Sequence, residues 1–273
     1  MKYLVLGSQG QVGKPCVALL RTMGHDVREF YGDLRTPNNP ILDQAIAEAD
    51  YVYFLAWDVG GARYLDKHQN SYDFLMNNTL IMANTFQILA RYNKPFLFTS
   101  SQMANMSFSP YGMTKALGDL LAKSLNGRIA RLWNVYGPES DPEKTHVITD
   151  FIKMAKSGTI NMRTTGEEER QFLYAEDCAE ALYAISRQHD FIDKDMPLHI
   201  ASFKWESVMD VAQIIQSLTT KNVNIVAYNR TDTTQHGIRN EPDPTILSLW
   251  KPKTSLRNGI KSIMEANNAN VLC

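Results

Sequence analysis

The chain has 273 residues, 28 lysines and arginines against 29 aspartates and glutamates, and a formal net charge of −1 at pH 7. A balance that close excludes a polyanion-binding surface built on bulk charge, so no nucleic-acid partner is expected. The three cysteines (Cys16, Cys178 and Cys273) have no metal or redox spacing, which predicts no metal and a cytoplasmic location, and no apolar run approaches a membrane span.

Met1 to Leu6 is a short apolar run that reads as a buried strand. It leads straight into Gly7-Ser-Gln-Gly10-Gln-Val-Gly13, too early for a signal peptide, and then into the helical spacing of Val17, Leu19, Leu20 and Met23. Further strands are predicted near 27–31, 51–55, 95–99 and 128–133, with helices near 11–23, 41–48, 72–91 and 111–125. That alternation predicts an α/β fold with a Rossmann-like, doubly wound parallel sheet over residues 1–138, rejoined by a segment near 171–200. Residues 139–273 are expected to form mainly a smaller C-terminal substrate-binding lobe, discontinuous in sequence. It would hold His146–Ser157, a strand at Leu198–Ile200, a helix from Ser207 to Leu218 and a strand at Val223–Tyr228. Asn229–Pro244, rich in Thr, Asn, Asp and Pro, reads as a loop over that lobe.

A glycine triplet between a strand and a helix points to a dinucleotide. The first glycine permits the tight turn, the second lets the backbone approach a pyrophosphate, and the third lets the helix pack closely on the strand. The phosphates would rest on free N–H groups at the helix N-terminus. Asp33 lies about 20 residues beyond the glycines, where an acid can accept from the adenosine ribose and favour NAD. Arg35 follows it, and an arginine there can instead bind the 2′-phosphate of NADP.

Tyr111 and Lys115 stand at i and i+4 and share one helix face. A phenol titrates near pH ~10, so a tyrosine base needs a nearby cation to stabilise phenolate. Lys115 can supply that charge, and a serine hydroxyl from the strand Pro95-Phe-Leu-Phe-Thr-Ser-Ser101 can share the proton. Thr99, Ser100 and Ser101 are all candidates for that hydroxyl. Such a group moves protons on and off an alcohol or sugar hydroxyl.

Together these motifs resemble the extended short-chain dehydrogenases of the nucleotide-sugar epimerase/dehydratase type, and the resemblance covers most of the chain. Tyr53-Phe-Leu-Ala56 resembles the strand that ends beside the cofactor ribose, and Asn78 matches an asparagine that steadies the sheet and approaches the cofactor. Arg131-Leu-Trp-Asn134-Val-Tyr-Gly-Pro138 is similar to a motif whose asparagine contacts the nucleotide-sugar phosphates. Gly166 to Asp177 resembles the segment whose arginine, here Arg170, grips the diphosphate. Trp250-Lys-Pro-Lys-Thr-Ser-Leu256 with Gly259-Ile260 resembles the C-terminal motif.

The resemblance implies Ser101, Tyr111 and Lys115 as catalytic residues. It implies cofactor contacts from Gly7, Gln9, Gly10, Gln11, Val12, Gly13, Asp33, Arg35, Leu55, Ala56 and Asn78, besides Tyr111 and Lys115. The substrate, a nucleotide-diphosphate sugar, would meet Ser101, Tyr111, Asn134, His146, Arg170 and Arg239. His146 in Thr-His-Val-Ile, with Val59-Gly60-Gly61, resembles the GDP-fucose synthase branch, where a histidine is an extra acid/base next to the ketone.

Three departures narrow the chemistry. Gln102 and Met103 stand where sugar dehydratases carry Asp-Glu, so dehydration is not expected. The cysteine that the GDP-fucose synthases use is absent, and the segment between Ser101 and Tyr111 is short. The expectation is an NAD-dependent 4-epimerase or related oxidoreductase, with NADP open. A GDP-fucose-synthase-like epimerase/reductase consuming NADPH and a non-catalytic dinucleotide-binding scaffold are the alternatives. A homodimer is implied through the helices near 72–91 and 111–125, whose Leu75, Leu80, Met82, Phe86, Leu89, Leu117, Leu120 and Leu121 serve equally as core.

Overall fold

A computed structural model describes residues 1–230 and 240–269. The chain begins β1 (Lys2–Leu6), α1 (Gly13–Thr22), β2 (Asp26–Phe30), α2 (Pro40–Glu48), β3 (Tyr51–Phe54), α3 (Ala62–His68) and α4 (Tyr72–Tyr92). It continues through β4 (Phe96–Ser101), α5 (Pro110–Ser124), β5 (Gly127–Leu132), β6 (Asn134–Tyr136), α6 (Val147–Lys156), β7 (Thr159–Asn161), β8 (Glu169–Arg170) and β9 (Phe172–Tyr174). Then come α7 (Ala175–Arg187), β10 (Leu198–Ile200), β11 (Glu206–Ser207), α8 (Val208–Leu218), β12 (Asn224–Val226) and α9 (Leu256–Ala269).

Six of these strands form one sheet, ordered β10-β5-β4-β3-β1-β2, and every pairing in it is parallel. β1, β3 and most of β4 read as near-continuous apolar runs because helices cover both faces. On one face Val5, Tyr53 and Leu97 pack with Cys16, Leu20, Leu182 and Ile185 of α1 and α7. On the other, Leu4, Phe54 and Phe98 pack with Ile46, Phe86 and Ala122 of α2, α4 and α5. This is the Rossmann-like doubly wound sheet expected from the alternation of strands and helices.

A further apolar cluster joins α6, α8 and α9, with Ile152, Ile215 and Ile260 among its buried residues, and Tyr136 and Phe172 on the neighbouring β6 and β9 belong to it. α3 and α7 are helices that the sequence reading did not assign, and α9 follows the C-terminal motif. The strand expected at 223–228 is trimmed to β12, paired with β7. Most of the expected 229–244 loop, Arg239 included, lies outside the described residues. Of the apolar positions on α4 and α5, Met82, Phe86 and Leu89 are buried within this chain, whereas Leu117 and Leu120 are exposed beside Met113. No described helix is long and apolar enough to cross a membrane.

Asp177, buried in the first turn of α7, ties the C-terminal motif to the sheet side. Its carboxylate accepts from the Lys253 and Thr254 backbone N–H groups at 2.9 and 2.7 Å and from the Thr254 hydroxyl at 2.9 Å. Hydrogen bonds to a charged acceptor are the stronger kind, and losing the acceptor leaves its donors unpaired. Asp177→Ala is expected to destabilise the protein by about 3 kcal/mol in a urea titration, and Asp177→Asn by less.

Candidate active site

The glycine turn is built by contact between backbones. Gly7 takes φ +88°, and a Cβ there would stand 2.7 Å from the Ala56 nitrogen. A Cβ on Gly13 would fall 2.1 Å from the Gly7 carbonyl oxygen, so α1 starts directly against the end of β1. The turn and the C-terminal ends of β1 and β3 wall a groove of about 770 Å³. Gly7, Gln9, Gly10, Gln11, Val12 and Gly13 line it, with Leu55 and Ala56 opposite and Asp33 and Arg35 at one end. A turn with no room for side chains, opening on a long crevice at a helix N-terminus, fits a dinucleotide.

At that end of the crevice, Arg35 grips both Asp33 carboxylate oxygens at 2.9 and 2.8 Å, holding the carboxyl below its usual range. Arg35 also donates to Asn77 Oδ1 at 2.9 Å. Gln9 donates to Glu29 at 2.8 Å, and the Gln11 amide bridges the Val135 carbonyl and the Gly137 N–H at 3.3 and 3.2 Å. Buried Asn78 accepts from the Asp58 N–H at 2.8 Å and donates to the Asp58 carbonyl at 3.0 Å. It steadies the groove wall from behind.

A second cavity of about 280 Å³ shares Gln11, Val12, Leu55, Trp57 and Val59 with the groove. Ser101, Tyr111, Lys115, Asn134, His146 and Arg170 all line it. β4 delivers Ser101 at its C-terminal end, and a short 3-10 turn over Gln102–Asn105 folds back on α5. The turn packs so tightly that a Cβ on Gly112 would meet the Met103 carbonyl at 2.1 Å. Ser109 caps α5 by accepting from the Gly112 N–H, and Pro110 pre-sets the first turn.

Of the three candidate hydroxyls, Ser101 Oγ accepts from the Met103 N–H at 3.1 Å, and Thr99 donates to the Phe54 carbonyl at 3.2 Å. Ser100 Oγ is buried without a partner among the described residues. Burial pushes Tyr111 up to about 12, and the Ser101 hydroxyl acts in the opposite direction. Burial lowers Lys115 to about 7, partly offset by Asp119. Lys115 Nζ donates to the Thr99 carbonyl at 2.7 Å, so the isolated site holds a phenol beside a lysine that titrates near neutrality, not a preformed phenolate.

Gln102 Nε2 donates to Asn134 Oδ1 at 3.3 Å, a neutral amide pair on the cavity floor. Arg170 stands on β8, paired with Glu206 on β11. His146 precedes α6 and lines both cavities.

Glu139, Asp58 and Trp57, which the sequence reading did not single out, join these walls beside the Gly60-Gly61 pair that it did. Glu139, nearly buried, binds His146 twice, accepting from its backbone N–H at 3.0 Å and facing its Nδ1 at 2.5 Å. Burial raises the Glu139 carboxyl, and His146 and Thr149 outweigh it, bringing it below its usual range. Asp58 accepts from Tyr64 at 2.7 Å, Lys144 at 2.8 Å and Asn77 at 3.1 Å. Burial raises this carboxyl too, and those donors bring it down. Gly60 and Gly61 lie flat against 144–146, where a Cβ on Gly61 would meet the Thr145 carbonyl at 2.4 Å. Trp57 follows Ala56 and stands between the cavities. Among the described residues no cluster of His, Cys, Asp and Glu is arranged to hold a metal.

Known proteins match this chain along its length. The NAD dependent epimerase/dehydratase family profile matches residues 3–201. A UDP-glucuronic acid decarboxylase from Arabidopsis thaliana is 27% identical over 143 residues, which span 50% of this chain and 40% of the plant protein. A UDP-N-acetyl-alpha-D-glucosaminuronate decarboxylase from Bacillus cytotoxicus is 24% identical over 96% of both chains. Among solved structures, an epimerase from Methanothermobacter thermautotrophicus superposes with a TM-score of 0.86 at 21% identity, over 99% of this chain and 93% of its own.

The turn itself supplies a test. Gly13→Ala forces a Cβ into the Gly7 carbonyl and must displace the turn. At least a tenfold loss of NADH affinity is expected in a fluorescence titration, with thermal unfolding remaining cooperative.

Proposed function

Because the chain belongs to the NAD dependent epimerase/dehydratase family, we propose that it is an NAD(P)-dependent enzyme that modifies a nucleotide-diphosphate sugar, oxidising and re-reducing the hexose at C4. The observation that carries this reading is a single cavity holding Ser101, Tyr111 and Lys115 and sharing a wall with the dinucleotide groove. The turn 7–13 would hold the pyrophosphate, and Asp33 or Arg35 the adenosine ribose, with NAD favoured because Asp33 already occupies Arg35 on both oxygens. Bound there, the nicotinamide supplies a hydride acceptor that returns what it takes.

Asn134 and Arg170 would bind the diphosphate and orient the hexose. Tyr111 would exchange the proton of the C4 hydroxyl, with the Lys115 ammonium stabilising negative charge on the phenol oxygen as it develops. Ser101 Oγ already accepts from Met103, which leaves its own hydrogen to donate to the sugar oxygen. Gln102 and Met103 offer neither acid nor base, so loss of water across C5–C6 lacks a proton carrier at that place. The relatives' decarboxylations make a uronic acid sugar a substrate to test. Leu117, Leu120 and Met113 would form the helix face through which two copies associate.

A second reading rests on the Glu139–His146 pair. A buried carboxylate on Nδ1 fixes the imidazole tautomer and leaves Nε2 as a base. Such a base suits proton exchange on a carbon beside a ketone, as in a keto-sugar epimerase/reductase that consumes NADPH.

The protein would be incubated with NAD and UDP-, GDP-, dTDP- and CDP-hexoses, and with UDP-glucuronate, in heavy water under NMR. The 4-epimerase reading expects a C4 epimer without ring deuterium. Deuterium at C3 or C5 would transfer the assignment to His146 chemistry, and carbon dioxide release from UDP-glucuronate would place decarboxylation first. Tyr111→Phe is expected to lower turnover at least a hundredfold with thermal unfolding remaining cooperative; full cellular function in that variant would support a scaffold instead.

A further inference from the structure

We propose that Trp57 is a positioning residue for Lys115, its indole face and the Thr99 carbonyl together holding the ammonium at the C-terminal end of β4. This rests on the reading of Tyr111 and Lys115 as the pair that moves the proton. Lys115 is 3% exposed, and its ammonium has three donors to satisfy. One goes to Thr99 O at 2.7 Å. The Trp57 ring centroid stands 3.9 Å from Nζ, well inside cation–π range, and the Phe98 ring 5.0 Å away.

The acid on its own helix, Asp119, turns one oxygen to Arg131: its Oδ2 accepts from Arg131 Nε and Nη2 at 3.0 and 2.8 Å. Its Oδ1 is buried without a partner among the described residues, and the Asp119 charge partly offsets the burial of Lys115. The groups around the ammonium are therefore Thr99 and Phe98 of β4, Trp57, Tyr111 and Asp119 of α5, and Arg131 of β5 behind Asp119. Trp57 is the large π face among them.

Its ring is fixed from two sides. Its neighbour Ala56 abuts Gly7, and the indole packs against Phe54 and Phe98 with centroids 6.5 and 5.7 Å away. Among the described residues the indole N–H is buried without an acceptor, a cost that a phenylalanine or leucine in the same space would not carry. Apolar packing alone does not account for a tryptophan here; a face for the ammonium does. Because Lys115 titrates at about 7, loss of that face changes its charge in the neutral range.

The test labels the full-length chain with 13Cε,15Nζ-lysine, assigns Lys115 by its absence in Lys115→Met, and follows its signal against pH. Removing the face disfavours the charged form, so Trp57→Leu is expected to lower the Lys115 midpoint by about one pH unit. Trp57→Phe, which keeps a weaker face, should move it the same way by less. Thermal melts report whether each variant folds; if the leucine variant does not, the phenylalanine variant carries the test. An unmoved midpoint in a folded variant overturns the proposal. Full turnover in Tyr111→Phe would overturn the proton-transfer reading instead and leave the Lys115 titration standing.

Discussion

Everything at the crevice depends on backbones meeting without side chains between them. Gly7 against Ala56 and Gly13 against Gly7 bring the ends of β1, β3 and α1 together at less than the separation any other residue permits. That closeness sets the turn Gly10 to Gly13 and the start of α1 in the groove wall. It also fixes the residue after Ala56, so the position of Trp57, and through it the neighbourhood of Lys115, follows from the same contact.

Around this fixed centre the protein uses carboxylates as hubs. Asp58 gathers Tyr64, Lys144 and Asn77, Glu139 gathers both donors of His146, and Asp177 gathers the C-terminal motif. Each is largely shielded from water, and Asp58 and Glu139 are kept ionised by donors that outweigh their burial. The result is that loops distant in sequence, 58–64 and 139–146, close over one cavity wall as a unit.

What was legible in the sequence was local. The glycine turn, the apolar runs of β1, β3 and β4, and the Tyr111–Lys115 spacing are each encoded within a dozen residues, and those elements stand where the pattern puts them. Lys144 and Asp58 are 86 residues apart, and nothing near either marks the other. Glu139 looks like an ordinary loop acid until α6 starts beside it. Trp57 had a signal, its place directly after Ala56 in the ribose strand motif, but an aromatic there reads as core. α7 escaped because its small residues, Ala175, Ala179 and Ala181, blur the helical stripe that larger side chains make plain.

Among the described residues the sheet stops at β2, a strand of five residues with no neighbour on its outer side. Such an edge is an open template on which another chain can form hydrogen bonds. Here Asp26 and Arg28 alternate along it, and Arg28 is held by Glu48 from the end of α2 at 2.8 Å. A foreign strand would have to strip water from those charges before pairing. The short, charged rim thus guards the chain against sheet-to-sheet aggregation while the crevice beside it stays open to solvent.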